Sequence, residues 1–149
     1  MNKLIIIIPF ILFGLVSRLH AEESKGDIGI EVGALGSYGL TGHYKLEANM
    51  DIRALYTNFT ATGTSCSATL SSIGAAAIIN LPKKESSNMY YGLGGQNVGI
   101  TGSCSGLKFL NGFHIYYAIG WKNQVSEEID MRFEYNNLHG LTAGIAYRF

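Results

Sequence analysis

The chain has 149 residues, in which 11 Lys and Arg residues balance 11 Asp and Glu residues for a formal net charge of zero. This length suits a single domain, and the neutral charge excludes the basic surface that nucleic-acid binding requires. We find no glycine-rich phosphate loop and no cluster of metal ligands, so neither a cofactor nor a metal is expected.

The first residues have the pattern of an export signal. Asn2 and Lys3 form a short positive start, an apolar run covers residues 4–16, and the small residue Ala21 follows. A charged start, an apolar stretch and a small residue at the cleavage point characterise a secretory signal peptide. The run is also shorter than the ~20 residues of a membrane-spanning helix. We therefore predict a signal peptide over residues 1–21 and one domain over residues 22–149.

Alternation with a period of two dominates the predicted domain. In the clearest stretch, residues 129–135, Ile, Met, Phe and Tyr share one face, while Asp, Arg and Glu share the other. This pattern indicates strands with one apolar and one polar face. Eight such strands are predicted, with no helix, and a β-bulge is expected at Gln96–Asn97. Turn-forming residues separate the strands at 36–39, 48–49, 62–67, 83–88, 101–106, 125–128 and 137–140.

Strand length selects the architecture. A transmembrane strand takes about 9–11 residues, so eight strands use roughly 80 residues and leave room only for short connections. A 16-stranded porin would need about twice as many residues in strands. The prediction is an all-β protein, an eight-stranded antiparallel up-and-down transmembrane β-barrel.

The apolar face could point outward to lipid or inward to the core of a soluble, lipocalin-like barrel. Aromatic residues of the apolar series fall near strand ends, which favours lipid because membrane barrels carry aromatic girdles at both interfaces. One predicted girdle contains Tyr91, Trp121, Tyr147 and Phe149, and the other contains Tyr56, Phe109 and Tyr135.

The polar face would then fill the interior. The lumen of an eight-stranded barrel is just wide enough to be filled by side chains. Acidic and basic residues of the polar series balance, so we predict an interior network of ion pairs. Its members are Glu31, Lys45, Glu47, Asp51, Arg53, Lys122, Asp130, Arg132, Glu134 and Arg148.

The end of the chain resembles a known group of proteins. The runs Met131–Tyr135 and Gly144–Phe149 look like the last strands of the OmpA-like and opacity-type barrel families. The resemblance implies a barrel in the outer membrane of a Gram-negative bacterium. It also implies that Tyr147 and the terminal Phe149 are an assembly signal, recognised by the barrel-assembly machinery. The lipid bilayer is then an expected partner, lipopolysaccharide a candidate partner, and a monomer the expected state.

The cysteines and histidines suggest structural roles. Cys66 and Cys104 occupy similar Ser-Cys-Ser contexts in two predicted loops of the same rim. The periplasm is oxidising, so a disulfide is expected, while metal binding is a weaker alternative with only two thiols. His43 and His114 belong to the polar series and are expected as interior side chains. His139 is expected to be solvated in the last loop.

A second resemblance concerns an enzyme. Lipid A deacylases of the outer membrane are also eight-stranded barrels, with a catalytic His-x-Ser on the penultimate strand. Here Glu134 stands in place of the histidine and Asn136 in place of the serine. Serine hydrolysis needs the hydroxyl and the imidazole, so no catalytic residue and no enzyme activity are predicted.

Three functions stay open at this stage. The first is an integral outer-membrane protein with a structural or surface-interaction role, its interior plugged by polar side chains. The second is a narrow channel of low conductance, and the third is a lipid A-modifying enzyme or a degenerate relative of one. The predicted outer loops are short, which argues against an adhesin.

Overall fold

The computed structural model describes residues 25–82 and 87–149. The predicted signal peptide, residues 1–21, lies outside the described residues, and so do residues 83–86 of a predicted turn. Among the residues described, no helix is long and apolar enough to cross a membrane.

The described chain forms a closed eight-stranded barrel, which confirms the predicted fold class. Each strand pairs antiparallel with the next, and the last pairs with the first. The strands are β1 (Gly26–Gly33), β2 (Tyr38–Glu47), β3 (Met50–Thr62), β4 (Ser67–Asn80), β5 (Ser87–Gly102), β6 (Gly112–Gln124), β7 (Ile129–Asn136) and β8 (Gly140–Arg148). Closure leaves the sheet without the unpaired edges that an open sheet presents.

The predicted alternation of faces is present in the barrel wall. Along β7, every second residue from Asp130 to Asn136 is buried, and the residues between them are exposed. The outward residues are large and apolar, and many remain about half exposed. They include Ile30, Leu40, Ile52, Ile73, Leu93, Ile119, Phe133 and Ile145. An uninterrupted apolar wall of this kind is suited to lipid rather than to water.

The interior is mostly polar, with a small apolar cluster at mid-height. That cluster contains Leu55, Ala76, Ile78, Tyr90, Tyr116 and Ala118. Arg53, Gln96, Asp130, Arg132 and Glu134 are buried in the same lumen. The large apolar residues are therefore outside and the charged residues inside, the reverse of a water-soluble barrel.

Two local predictions are wrong. The ladder of β5 runs through Gln96 and Asn97 without a bulge. The register shift lies instead in β2, between Lys45 and Glu47. A 3₁₀ helix, Ser105–Leu110, replaces the predicted start of β6. Phe109 therefore belongs to this helix rather than to a strand, and its side chain is strongly exposed.

The barrel is taller on one side. We call the end that carries Gly26 and Phe149 the termini end, and the opposite end the loop end. β1, β2, β7 and β8 have 8 to 10 residues, whereas β3 to β6 have 13 to 16. The additional residues lie at the loop end, where β3, β4 and β5 continue beyond the other strands. We call residues 57–62, 67–72 and 97–102 the raised wall.

Candidate functional site: the barrel interior

The centre of the lumen is crossed by one hydrogen-bonded layer built on Arg53. Its guanidinium donates to Glu134 Oε2 at 2.5 Å and to the hydroxyl of Tyr116 at 2.8 Å. The Tyr90 hydroxyl lies 3.2 Å from Arg53 and 2.9 Å from Glu134. Strands β3, β5, β6 and β7 each contribute one residue. We call Arg53, Glu134, Tyr90 and Tyr116 the central layer.

The central layer compensates its own burial. Arg53 and Glu134 are each almost fully buried, and an unpaired buried charge is strongly unfavourable. The carboxylate accepts from Arg53, from both tyrosines and from Asn136 Nδ2. Charge-assisted hydrogen bonds of this kind are about twice as strong as neutral ones.

A glycine makes room for this arrangement. A Cβ at Gly120 would lie 2.3 Å from the ring of Tyr90. Because Gly120 is paired with Tyr90 on the neighbouring strand, the missing side chain leaves the space that the ring occupies. The same ring is 5.5 Å from the Arg53 guanidinium carbon. The glycine thus serves the packing of the central layer rather than a turn.

His43 adjoins the layer with a defined tautomer. Arg53 Nε, which always carries a hydrogen, donates to His43 Nε2 at 2.8 Å. Nε2 must therefore be the acceptor, so the proton of the neutral ring is on Nδ1. Nδ1 is buried and has no hydrogen-bond partner among the described residues. His43 as a residue also lines the cavity described next.

A cavity of about 600 Å³ fills the termini end of the barrel, and we call it the vestibule. Asp27 pairs there with Arg132, while Asp130 lies 3.5 Å from Arg148 and 4.0 Å from Lys122. The vestibule carries charges of both signs. Its lining includes Asp27, His43, Lys45, Asp51, Asn80, Asn88, Lys122, Gln124, Asp130 and Arg148. Charged, roomy and polar, it is suited to water rather than to an apolar ligand.

Above the central layer the lumen is almost closed. The cavity there measures about 10 Å³, roughly the space that one water requires. Thr57 Oγ1 lies 2.6 Å from Ser72 Oγ and 2.9 Å from His139 Nε2. Ser72 in turn donates to Gln96 Oε1 at 2.8 Å. This chain of bonds, which we call the upper layer, blocks the loop end of the barrel.

The last loop places His139 over the lumen. The Asn136 side-chain oxygen accepts from the backbone N–H groups of Leu138 and His139, at 3.2 and 2.7 Å. These bonds turn the chain back so that the imidazole reaches Thr57. The prediction that His139 is solvated is therefore wrong, because its ring is half-buried. Burial lowers the pKa of His139, although the charge of Glu134 acts in the opposite direction.

The predicted charge network divides into separate groups. Arg53 and Glu134 belong to the central layer, whereas Lys45, Asp51, Lys122, Asp130 and Arg148 line the vestibule and Arg132 is paired with Asp27 there. Glu31 lines the small upper cavity. Glu47 does not join them: it is exposed at the end of β2, because the register shift after Lys45 moves it out of the interior series.

Several interior residues were missed at the sequence level. Tyr90 and Tyr116 occupy inward positions, but the predicted network was defined by charge and did not include aromatic residues. Asp27 and Gln96 also face inward, because each is in phase with the other inward residues of its strand. Phase alone could have identified all four residues. Their bonding partners could not be identified in that way, because the partners lie on distant strands.

The structure joins Cys66 and Cys104 in a disulfide. Their Cα atoms are 5.0 Å apart, across 38 residues of sequence. The bond links the β3–β4 loop to the segment that leads from β5 into the 3₁₀ helix. Ser103 supports the same contact through its Oγ, which accepts from the Ser67 N–H at 3.2 Å. The tip of the raised wall is therefore tied together covalently.

The positions that resemble the deacylase motif face the lumen. Glu134 is part of the central layer and Asn136 caps the last loop. Both side chains are buried inside the barrel, and neither faces the apolar wall where an acyl chain would lie. His114 bonds to the Leu110 carbonyl at 2.7 Å. No group of three or more potential metal ligands occurs in the part of the chain described.

The predicted assembly signal lies at the seam where the barrel closes. The Phe149 N–H donates to the Gly26 carbonyl at 3.0 Å. Tyr147 pairs with Ile28 on one side and with Ile129 on the other. The end of the chain therefore completes the ladder between β8 and β1, in addition to any role in assembly.

Comparison with solved structures relates this fold to outer-membrane barrels. The N-terminal β-barrel domain of Pseudomonas aeruginosa OprF is 12% identical, with a TM-score of 0.60, covering 86% of this chain and 100% of that domain. Neisserial surface protein A is 19% identical, with a TM-score of 0.59, covering 83% of this chain and 94% of that protein. Yersinia pestis Ail, solved with the heparin analogue sucrose octasulfate, is 12% identical, with a TM-score of 0.53. The match covers 86% of this chain and 100% of the Ail chain.

No protein-family model and no curated protein sequence matches the chain. The likeness to these structures is therefore one of fold: a small closed barrel of eight strands, like those of OmpA-like and opacity-type proteins. It agrees with the resemblance noted in the last two strands.

We expect removal of one partner from the central layer to be strongly destabilising. Arg53→Met or Glu134→Gln should each lower the free energy of unfolding by about 3–5 kcal/mol, because the remaining group is left buried without its partner. The double variant should recover much of that loss. Urea unfolding in vesicles, monitored by the fluorescence of Trp121, measures this. Lys122→Met is the control and should lose less, because Lys122 is partly exposed and lies 4.0 Å from Asp130. Additive losses in the double variant would contradict the coupling.

The loop over the lumen should open as pH falls. Because burial depresses the pKa of His139, the neutral ring stabilises the closed loop above the ordinary value of 6.5, and this contribution is lost as pH falls through the lower folded pKa. Deuterium-exchange protection of Leu138 and His139 should fall severalfold between pH 7.5 and pH 5. His139→Gln should remove the dependence, and the amides of Glu128 and Ile129 in another turn serve as an internal control. Equal pH profiles for both proteins would refute it.

Proposed function

We propose that this chain is an integral protein of the outer membrane of a Gram-negative bacterium, with a structural or surface-interaction role and a plugged interior. The observation that carries the proposal is the inversion of the barrel: an apolar wall outside, and the central layer of Arg53, Glu134, Tyr90 and Tyr116 inside. In this reading the termini end faces the periplasm and the loop end faces outward. Lipopolysaccharide, in the outer leaflet, is the candidate partner of the raised wall.

Several features support a role at the surface rather than in transport. The lumen is closed twice, by the central layer and by the upper layer. The longest strands project on the outward side, where the disulfide fixes their tip. Ail, which shares the fold, was solved with a sulfated sugar analogue, so a barrel of this size is able to present a surface to a carbohydrate.

A narrow conduit is the second candidate, and the vestibule favours it. Water entering from the periplasm would fill the vestibule before it reached the central layer. Rearrangement of that layer and of the upper layer would then be needed for a continuous path. An enzyme is not proposed, because the groups at the deacylase-like positions are buried in the lumen.

Membrane placement is tested by fractionation and by heat-modifiability. We expect the mature protein in outer-membrane fractions, with faster mobility unboiled than boiled, because a closed barrel resists detergent until it is heated. Phe149→Ala should reduce the amount of shifted protein, since it removes the terminal aromatic of the predicted assembly signal. Tyr135→Ala, another outward aromatic, is the matched control. Soluble periplasmic protein without a mobility shift would refute the proposal.

Ion conductance distinguishes the plug from the conduit. A plugged barrel should carry no current steps in a planar bilayer, whereas a conduit should carry small ones. Tyr116→Ala removes one arm of the central layer, so it should raise conductance if that layer is the barrier. Tyr117→Ala, on the outward face of the same strand, should leave the trace unchanged. A folded Tyr116→Ala barrel with the wild-type trace would show that the central layer is not the barrier.

A further inference from the structure

The raised wall reverses the polarity of the barrel below it. On β3 the outward series runs through Ile52 and Tyr56 and then changes to Asn58, Thr60 and Thr62. The same change occurs on β4 and β5. We call the outward polar residues of the raised wall the polar ladder: Asn58, Thr60, Thr62, Ser67, Thr69, Ser71, Asn97 and Thr101.

Above Thr57 and Ser72 of the upper layer, the inward face of the raised wall is apolar instead. Phe59, Leu70 and Ile100 point to that side and are half-buried, while Ala68 and Val98 are buried. An outward polar face and an inward apolar face are what a sheet adopts in an aqueous layer. The change of polarity between Tyr56 and Asn58 therefore marks the upper limit of the bilayer-facing wall.

The polar ladder is continuous and carries no charge. In the pairing register, Thr60 lies beside Thr69, which lies beside Thr101. The row below consists of Asn58, Ser71 and Gly99. Residues 57–62, 67–72 and 97–102 contain no Lys, Arg, Asp or Glu. Such a surface offers hydrogen bonds without attracting phosphate groups.

Cross-strand bonds orient the ladder and leave it with free capacity. Asn58 Nδ2 donates to Ser71 Oγ at 2.9 Å, and the hydroxyls of Thr60 and Thr69 are 3.4 Å apart. A hydroxyl has one donor and two acceptor positions, so each retains sites for a further partner. Thr60, Thr62, Ser67 and Thr101 are exposed. Within a row, neighbouring strands lie about 4.8 Å apart, and successive rows are two residues, about 6.6 Å, apart along each strand.

The direction of the ladder restricts its partner. Side chains of a strand stand roughly perpendicular to the sheet, so the ladder points sideways, as the lipid-facing residues of the same strands do. A partner bound to it must lie beside the barrel, directly above the acyl chains. The exposed ring of Phe113, packed over Gly95 below the ladder, stands at that boundary. The ladder is thus continuous with the surface that contacts the bilayer.

We propose that the polar ladder binds the uncharged sugar residues of lipopolysaccharide that surround the barrel in the outer leaflet. This inference rests on the proposed placement in the outer membrane and deepens it by naming the site and the ligand chemistry. The contact is made by hydroxyls and amides to sugar hydroxyls, and it lies above any contact with lipid A. The disulfide keeps the strands of the ladder aligned at its upper end.

The test measures how lipopolysaccharide stabilises the folded barrel. The mature protein is placed in phosphatidylethanolamine vesicles that contain increasing fractions of lipopolysaccharide, either with its complete core sugars or truncated next to lipid A. The readout is the melting temperature of the barrel, which is determined from the loss of the gel-mobility shift on heating. The half-saturating fraction of complete lipopolysaccharide should be about tenfold lower than that of the truncated form, as a few added hydrogen bonds imply.

A variant without hydroxyls locates the site. Thr60→Val, Thr69→Val and Thr101→Val combined should raise the half-saturating fraction of the complete form to that of the truncated form. Thr64→Val with Ser65→Ala, in the loop beyond the ladder, is the matched control and should behave as wild type. A folded triple variant that keeps the wild-type preference for core sugars would overturn the proposal, and so would a wild type without that preference.

Two further readings keep the result interpretable. If the triple variant does not fold, amide exchange of residues 58–62 in the wild type tests the proposal instead. Slower exchange with complete than with truncated lipopolysaccharide would support sugar binding by the polar ladder, and equal exchange would refute it. If neither form changes the melting temperature of the wild type, contact with lipopolysaccharide is excluded altogether. Membrane insertion and the closed lumen are measured separately, by fractionation and by conductance. A negative result for sugar binding by the polar ladder would therefore not contradict the proposed function.

Discussion

The structure depends on one requirement: the charge of Arg53 must be satisfied inside a barrel only eight strands wide. A guanidinium has five donors in a fixed plane and does not lose its proton. The lumen meets this demand with Glu134, with two tyrosine hydroxyls and with His43, whose tautomer follows from the same contact. The missing side chain of Gly120 follows as well, since Tyr90 could not otherwise reach the centre. The same few residues therefore neutralise the buried charge and fill the centre of the lumen.

Much of the fold was readable from alternation. The clear two-residue period of residues 129–135 and its repetition along the chain predicted eight strands, and its phase placed the large apolar residues together on one face. That this face points outward was predicted from the aromatic residues near strand ends and from the resemblance of the last strands. The misplaced start of β6 has a local cause. Phe109 is apolar and in phase with β6, but Gly112 has a positive φ of 123° that breaks the strand. The alternation of apolar and polar residues predicts which face a residue occupies. It does not predict where a strand begins or ends, which depends on backbone conformation.

The interior site was only partly predictable. Most charged residues of the polar series do face the lumen, because residues two apart along a strand lie on the same face of the sheet. Which of them meet depends on the stagger of all eight strands around the barrel. Arg53 and Glu134 are 81 residues apart in sequence, and no local pattern connects them. Tyr90 and Tyr116 were left out for another reason: the network was predicted from charge, whereas a tyrosine joins it through the hydroxyl at the end of an apolar ring.

The covalent link at the tip of the raised wall also bears on how the barrel is made. Cys66 and Cys104 belong to different hairpins, β3–β4 and β5–β6. A chain oxidised before it enters the bilayer would carry these four strands as one preformed unit. β1–β2 and β7–β8 contain no cysteine, so they would join this unit without a covalent link. The last event would be the meeting of β8 with β1, at the seam that Phe149 completes. A bond at the loop end of the finished protein would thus restrict the arrangements open to its insertion intermediate.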